Sequence, residues 1–411
     1  MLQTSAPGTV AESNAFTRLH KSERDYLTGM KRKDRIDIVH LIGTPKIAKY
    51  EMPLRIQVLQ SSLPQHVRLQ VFEDLGRNTS EKYTTWVHRL IRLPVSVLHP
   101  SRNIGNMYDV VRRARLTMDR CITGHADAKR EVLKLICQTY ATGGLCASNY
   151  SLGFEGPPGT GKTHFVKTAL TSALDRPLVS IPLGGANDVA YLLGNLFVYE
   201  GSKEGRLASA LMEAKCCNPI IYFDEVDKIS TTDRGAELVG ALIHLVDPTS
   251  NTALQDRYFH NVDIDYSKCT FVFSYNDPSK VSPVLLDRVK RISMPVPSDD
   301  ERQTIICDHL LPRARNRLKT NISLSQGALD VIVRRASTTK GGMRNAEKDV
   351  DHVISNAYLC RACQEDKGDV AGAKNVKVFD KDEYVSGAFA DAVLLSCETL
   401  SDDAIPNGMY T

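Results

Sequence analysis

A chain of 411 residues with 42% hydrophobic and 24% charged content is ordinary for a soluble globular protein and suits two or three domains. No apolar run approaches a bilayer span, and the first thirty residues, which include Glu12, Glu23 and Asp25, hold no secretory core and argue against an organelle transit peptide. The net charge of +4 is uneven: residues 1–120 hold 20 Lys and Arg against 11 Asp and Glu. That basic front could meet nucleic acid or an acidic partner, but Lys31-Arg32-Lys33 has no interleaved aromatics and reads first as a solvated face. The 10 cysteines are scattered, which fits free thiols in a reducing compartment, so an intracellular, soluble, cytoplasmic protein with no membrane partner is expected. Cys360-Arg361-Ala362-Cys363 has zinc-like spacing but no second Cys pair nearby, and reads as two thiols on one helix.

In chain order, residues 1–45 are polar and weakly periodic, which predicts a mobile arm. Two helical patterns follow, with Val67, Val71, Phe72 and Leu75 on one face, an expected stop at Gly76, a cap at Thr79 or Ser80, and then Tyr83, Val87, Leu90 and Ile91 until Leu93-Pro94. Trp86, the single tryptophan, reads as a packing anchor. A further start is expected at Asp119, then a helix over 126–139 that Thr142-Gly143-Gly144 breaks. Short apolar runs at 150–154, 178–181, 220–223, 270–274 and 291–294 read as buried strands with helices between them. That alternation predicts an α/β fold, a parallel sheet covered by helices on both faces. After Pro295-Val296-Pro297 the pattern is helical to about Cys363. From Glu365 little periodicity is expected beyond a β-like Val376-Lys377-Val378-Phe379.

The chemistry centres on Gly156-Pro157-Pro158-Gly159-Thr160-Gly161-Lys162-Thr163, which fits G-x-x-x-x-G-K-[ST] between a strand and a helix. Glycines let the backbone curl and aim N–H groups at phosphate oxygens, and the helix N-terminus behind them favours anions. Lys162 would reach the outer phosphates of ATP, and Thr163 would offer its hydroxyl to Mg²⁺. Ile220 to Phe223 runs into Asp224-Glu225, read as a magnesium-holding carboxylate followed by a general base on the attacking water. Asn276 ends the next strand and would orient water against the γ-phosphate, or else form a turn before Asp277-Pro278. Arg288 and Arg344 are candidate stabilisers of phosphoryl charge, indistinguishable by spacing from ordinary surface arginines.

From about Met52 to about Tyr358 these pieces, in this order, resemble the AAA+ module of Lon-type ATP-dependent proteases. The resemblance rests on Ser80 through Pro94, Met118-Asp119 with Gly124, the phosphate loop, Ile181-Pro182-Leu183-Gly184-Gly185, Asp224-Glu225-Val226-Asp227-Lys228, Leu245-Val246-Asp247-Pro248 with Asn251, Pro283 through Arg288, and Gly342-Met343-Arg344-Asn345 with Glu347. It implies a P-loop NTPase fold with an N-terminal helical arm and a helical lid: a flexible arm over 1–45, a Lon-like helical arm over 46–114, the nucleotide-binding domain over 115–297, the lid over 298–364 and a tail over 365–411. It also implies a homo-hexameric ring with ATP between subunits and a polypeptide substrate. Ile122 and Thr123 would lie near the adenine. Asn276 becomes sensor one, Arg288 the finger reaching a neighbour's nucleotide, and Arg344 sensor two. Tyr199-Glu200-Gly201 falls on the substrate-gripping pore loop, with Glu200 where Lon carries an apolar residue.

The resemblance stops at the peptidase. About fifty residues follow the lid, too few for a typical domain, and no serine among them has a Gly-Pro-Ser-Ala-Gly-like setting. Peptide-bond hydrolysis by this chain is therefore not expected, and Lon-like ATPases without a protease part occur among large DNA viruses. Three readings result. One is an ATPase that remodels or unfolds protein, one a motor acting on nucleic acid, and one an ATP-dependent scaffold that recruits a separate peptidase.

Overall fold

The computed structural model describes residues 53–78, 80–100, 106–141, 151–260, 262–339, 341–363, 367–370, 373–380 and 384–402; the expected arm over 1–45 and the break at Thr142-Gly143-Gly144 lie outside them. The chain divides into two units, residues 1–61 with 65–91, and residues 62–64 with 92–411.

In the first unit, helix α1 (Leu54–Gln60) precedes α2 (Gln65–Arg77) and α3 (Glu81–Leu90), which follow the two predicted patterns. Val67, Val71 and Leu75 are buried on one face of α2. That helix runs past the expected stop at Gly76 to Arg77. The Arg55 guanidinium lies 3.9 Å over the Phe72 ring, a cation–π contact one turn before the glycine. The Ser80 hydroxyl caps α3 by accepting the Tyr83 N–H, and the buried Trp86 stacks on Tyr83 at 5.5 Å.

The second unit begins with α4 (Met107–Cys121) and α5 (Ala126–Ala141). The expected start at Asp119 is corrected, because Asp119 lies in the last turn of α4. The true start is Asn106, whose side chain accepts the Asp109 N–H, and the stripe is Val110, Ala114 and Met118 at four-residue spacing. These three pack into the core of the sheet, so a domain boundary between 114 and 115 would cut a helix that belongs to the α/β layer.

The sheet is built from β1 (Ser151–Glu155), β2 (Leu178–Pro182), β3 (Ile220–Asp224), β6 (Thr270–Tyr275) and β7 (Lys290–Ser293), in the order β2-β3-β6-β1-β7 with every pairing parallel. The fold class is α/β as expected. Inner strands β1, β3 and β6 are almost wholly buried, which is why they read as apolar runs without alternation. The helix after the phosphate loop, α6 (162–174), buries Phe165, Val166, Ala169, Leu170, Ala173 and Leu174 against that sheet. Burying Phe165, Val166, Leu170 and Leu174 contributes about 1.5–3 kcal/mol of transfer free energy each, and the two alanines less. Between β2 and β3 lie α7 (Ala190–Leu193) and α8 (Arg206–Ala214); between β3 and β6 lie α9 (Asp233–Val246) and a small antiparallel hairpin of β4 (Leu254–Gln255) and β5 (Asp263–Ile264). α10 (Pro283–Asp287) leads into β7.

Beyond Pro297 a helical lid forms from α11 (299–318), α12 (Gln326–Thr338) and α13 (Met343–Ala362), with the short β8 (Ser323–Leu324) before α12. Ser298 and Glu301 make a reciprocal capping box at the start of α11. Cys360 is buried on α13, and Cys363 caps its end, exposed. The expectation of little structure after Glu365 is overturned. Strands β9 (Lys367–Val370), β10 (Ala373–Lys377) and β11 (Tyr384–Val385) lead to α14 (Gly387–Asp402). Phe389, Ala390, Val393 and Leu394 of α14 are buried in the same core as Ile332, Val350 and Ile354 of the lid. The segment that reads as a tail therefore completes the lid. No described helix is long and apolar enough to cross a membrane.

Candidate nucleotide site

The three central strands end level with one another, since Glu155 pairs with Tyr275 and Phe223 with Phe273. The loop 156–161, the pair Asp224-Glu225 and Asn276 consequently leave the sheet at one edge, its carboxyl end. In the loop, Gly159 has φ +80° and Gly161 has φ +93°, conformations that side chains resist. A Cβ on Gly161 would meet no atom within 4 Å, so the concavity beneath the helix N-terminus is open. A Cβ on Gly159 would lie 2.1 Å from the Gly341 carbonyl oxygen, because the lid turn rests directly on the loop there. Thr160 braces the curl from inside, its hydroxyl donating to the Pro157 carbonyl at 3.1 Å.

The Lys162 ammonium is buried and donates to three oxygens, Gly156 O at 2.7 Å, Pro157 O at 2.9 Å and Asn276 Oδ1 at 2.8 Å. Burial pushes its pKa down, opposed by the charges of Asp227 and Asp224 and reinforced by Arg344. Asp224 accepts from Ser274 Oγ at 2.5 Å and from Thr163 Oγ1 at 3.4 Å, and the buried Tyr222 hydroxyl donates to Ser274 at 2.9 Å. Burial raises the Tyr222 pKa, so it stays a neutral donor. Thr163, Asp224 and Ser274 form a cluster of hard oxygen atoms, the donor type that magnesium takes with phosphate. Glu225 has φ +61°, and its carboxylate pairs with Lys228. Asp227 Oδ2 accepts the N–H groups of both Asn276 and Asp277, at 3.1 and 3.2 Å, which seats the end of β6.

These groups line a cavity of about 360 Å³, closed on its other side by the lid. Ile122 and Thr123 lie on its wall, as do His309 on α11 and Arg344 on α13. Thr123 Oγ1 lies 3.4 Å from His309 Nε2. Arg313 is paired with Glu347 at 2.9 Å. His125 Nε2 lies 3.0 Å from the Thr160 carbonyl, and burial lowers its pKa, so the neutral ring donates to that carbonyl. Two sequence-predicted groups lie elsewhere. Arg288 does not line this cavity; it is exposed and pairs with Asp247 at 3.6 Å. Tyr199-Glu200-Gly201 lies in a turn between α7 and α8, with Tyr199 63% exposed, which excludes a buried packing role for that ring.

Residues 152–296 match the family described as ATPase family associated with various cellular activities (AAA). A Lon protease homolog of Acanthamoeba polyphaga mimivirus is 30% identical over 59% of this chain and 24% of its own length. The Lon protease of Campylobacter concisus is 30% identical over 74% of this chain and 37% of its own. A mitochondrial Lon protease homolog of Debaryomyces hansenii is 31% identical over 68% and 25%. This chain carries a Lon-type AAA+ ATPase module. It spans between about a quarter and two fifths of the length of these curated relatives. Within the Lon-type module, sequence reasoning missed His125, in the turn before α5, and His309 and Arg313 on α11, which lie far from the phosphate loop in sequence and sit in no motif. It also missed the Tyr222–Ser274–Asp224 chain, whose available signal was a tyrosine inside an otherwise apolar buried strand: its hydroxyl needs a partner.

Proposed function

We propose that this chain binds and hydrolyses ATP with magnesium and uses the cycle to remodel or unfold polypeptide in a ring, a homo-hexamer being the assembly the Lon-type resemblance implies. The observation that carries the reading is convergence. Lys162, Asp224, Glu225 and Asn276 from one sheet edge and Arg344 from the lid face a single cavity. Main-chain N–H groups of 159–163 bind the phosphates, and Ile122 and Thr123 flank the base. Thr163 and Asp224 would hold magnesium, which neutralises charge between phosphate oxygens. Glu225 takes the proton of the attacking water, while Asn276 orients that water. Lys162 and Arg344 stabilise the charge that develops on the transferred group.

Arg288 completes a neighbouring subunit's site, which its exposure and its position outside its own cavity support. Tyr199, Glu200 and Gly201 grip the substrate, an extended polypeptide lying against an exposed ring. No peptidase step is assigned to the chain. The test is Glu225→Gln, which keeps the shape and removes the base. The variant should retain ATP, lose turnover, assemble in the ATP state and trap substrate polypeptide. Unimpaired turnover, or ATPase stimulation by DNA in place of unfolded polypeptide with a steep salt dependence, would reject the reading.

A further inference from the structure

The loop that carries Tyr199 is not free-standing. Its two ends meet where Asn195 N–H donates to the Lys203 carbonyl at 3.1 Å. Gly194, at φ +76°, has no room for a Cβ there, since one would lie 2.8 Å from Gly205 N and 2.9 Å from Asp256 Oδ1. Asp256 belongs to the turn of the β4–β5 hairpin and is only 3% exposed. Its Oδ2 accepts the Gly205 N–H at 2.8 Å, and its Oδ1 accepts the Tyr258 N–H at 2.8 Å and the Phe259 N–H at 3.4 Å. The next residue, Arg257, donates its N–H to the Leu193 carbonyl at 2.7 Å, on the other side of the loop base. Higher up, the Phe197 ring meets the buried Tyr258 ring edge-on at 5.8 Å and 74°. Past this contact, Val198 is 72% exposed and Tyr199 63% exposed.

We infer that Asp256 and Phe197 are positioning residues that weld the 194–205 loop to the β4–β5 hairpin, so that the two move as one unit and hold the Val198-Tyr199 tip out toward substrate. The inference rests on the proposed role of Tyr199 and adds to it a mechanical support on a different segment. A buried carboxyl group that accepts three N–H bonds from two segments ties both to one side chain, and the aromatic contact resists bending of the loop. Without the weld, the tip would yield under load and transmit little force.

The experiment uses the full chain and two readouts. Hydrogen exchange of Phe197→Ala should accelerate by about three- to tenfold at amides of both segments, with Gly205 and Arg257 as reporters, as expected for loss of one aromatic pair. Asp256→Asn should accelerate both further, because an amide presents a donor to one of the N–H groups. In turnover, Phe197→Ala should keep basal ATPase within about twofold and lose most of its stimulation by reduced, alkylated lactalbumin, and Phe197→Tyr should restore it. Faster exchange confined to 194–205, with hairpin amides unchanged, would overturn the weld. So would full stimulation of Phe197→Ala. If the unaltered protein is not stimulated by polypeptide at all, the motor reading fails, and the exchange result alone decides the weld.

Discussion

Gly159 is the point at which the phosphate loop touches the lid, and replacing it with alanine separates two effects that a glycine in such a loop normally confounds. An L-residue at φ +80° costs about 1–2 kcal/mol. The new Cβ would also lie 2.1 Å from the Gly341 carbonyl oxygen, a backbone atom with no flexible side chain to swing away. The lid turn would have to withdraw on the order of 1 Å to restore ordinary contact. The Met343 N–H bond to the Gly159 carbonyl, at 3.3 Å, would then break. Gly161→Ala is the control, because Gly161 has φ +93° but an added Cβ meets nothing within 4 Å. In nucleotide-free protein, Gly161→Ala should cost about 1–2 kcal/mol and Gly159→Ala about 2–4 kcal/mol, or roughly 2–4 °C of melting temperature per kcal/mol. Arg344 follows the displaced turn by two residues, so ATP turnover of Gly159→Ala should fall about 10²-fold, the penalty of a 1 Å misplacement. Calorimetry of both proteins without nucleotide and steady-state kinetics of Gly159→Ala suffice. Equal melting of the two variants together with normal turnover of Gly159→Ala would refute the reasoning, for it would mean that the lid does not bear on the loop.

Three further outcomes are expected. Arg288→Ala should lower turnover about 10³-fold while leaving ATP binding intact, and mixing it with Lys162→Ala subunits should recover part of the activity; no recovery at any mixing ratio would remove the role in trans. Phe389→Ala should cost about 3–5 kcal/mol and melt the lid early by circular dichroism, since the ring is fully buried in the lid core; a neutral result would mean that α14 does not complete that core. Burial pushes the Asp256 carboxyl up to about 6, against about 3.9 when unfolded. The folded chain therefore binds more protons than the unfolded one between those values, and this residue's contribution to stability is lost as pH rises from about 4 to about 6. It amounts to roughly 2–3 kcal/mol and should vanish from the pH dependence of denaturant unfolding in Asp256→Asn.

Much of the α/β layer was legible because parallel strands buried on both faces read as short apolar runs, and Ile220 to Asp224 or Thr270 to Tyr275 admit few other readings. The phosphate loop and the Asp224-Glu225 pair were legible for a local reason, since each is a contiguous motif at the end of a strand. α4 was obscured because its stripe of Val110, Ala114 and Met118 is narrow and lies among Arg112, Arg113, Arg115 and Arg120. α14 was obscured for the opposite reason. Ala388, Phe389, Ala390, Ala392, Val393, Leu394 and Leu395 leave little polar contrast, so a helix that finds its place only against α12 and α13 reads as aperiodic.

The same distinction between local and assembled signals accounts for Gly184, which carried weight in the sequence only as part of a resemblance. β2 and β3 are neighbours in register, with Pro182 opposite Asp224, so the turn after β2 lies beside Glu225. Leu183 N–H donates to the Asp224 carbonyl at 2.9 Å, which ties that turn to the strand end. A Cβ on Gly184 would fall 2.3 Å from Glu225 Oε2, so the carboxylate occupies the space that any other residue would fill. Glu225 is itself held at φ +61°, a conformation that costs a non-glycine residue of order 1–3 kcal/mol and persists only where its surroundings impose it. The strain and the missing side chain have one consequence: together they seat a single carboxylate at the mouth of the cavity. Nothing in either segment announces this alone, because the seat comes into being only when two strands separated by about forty residues lie side by side.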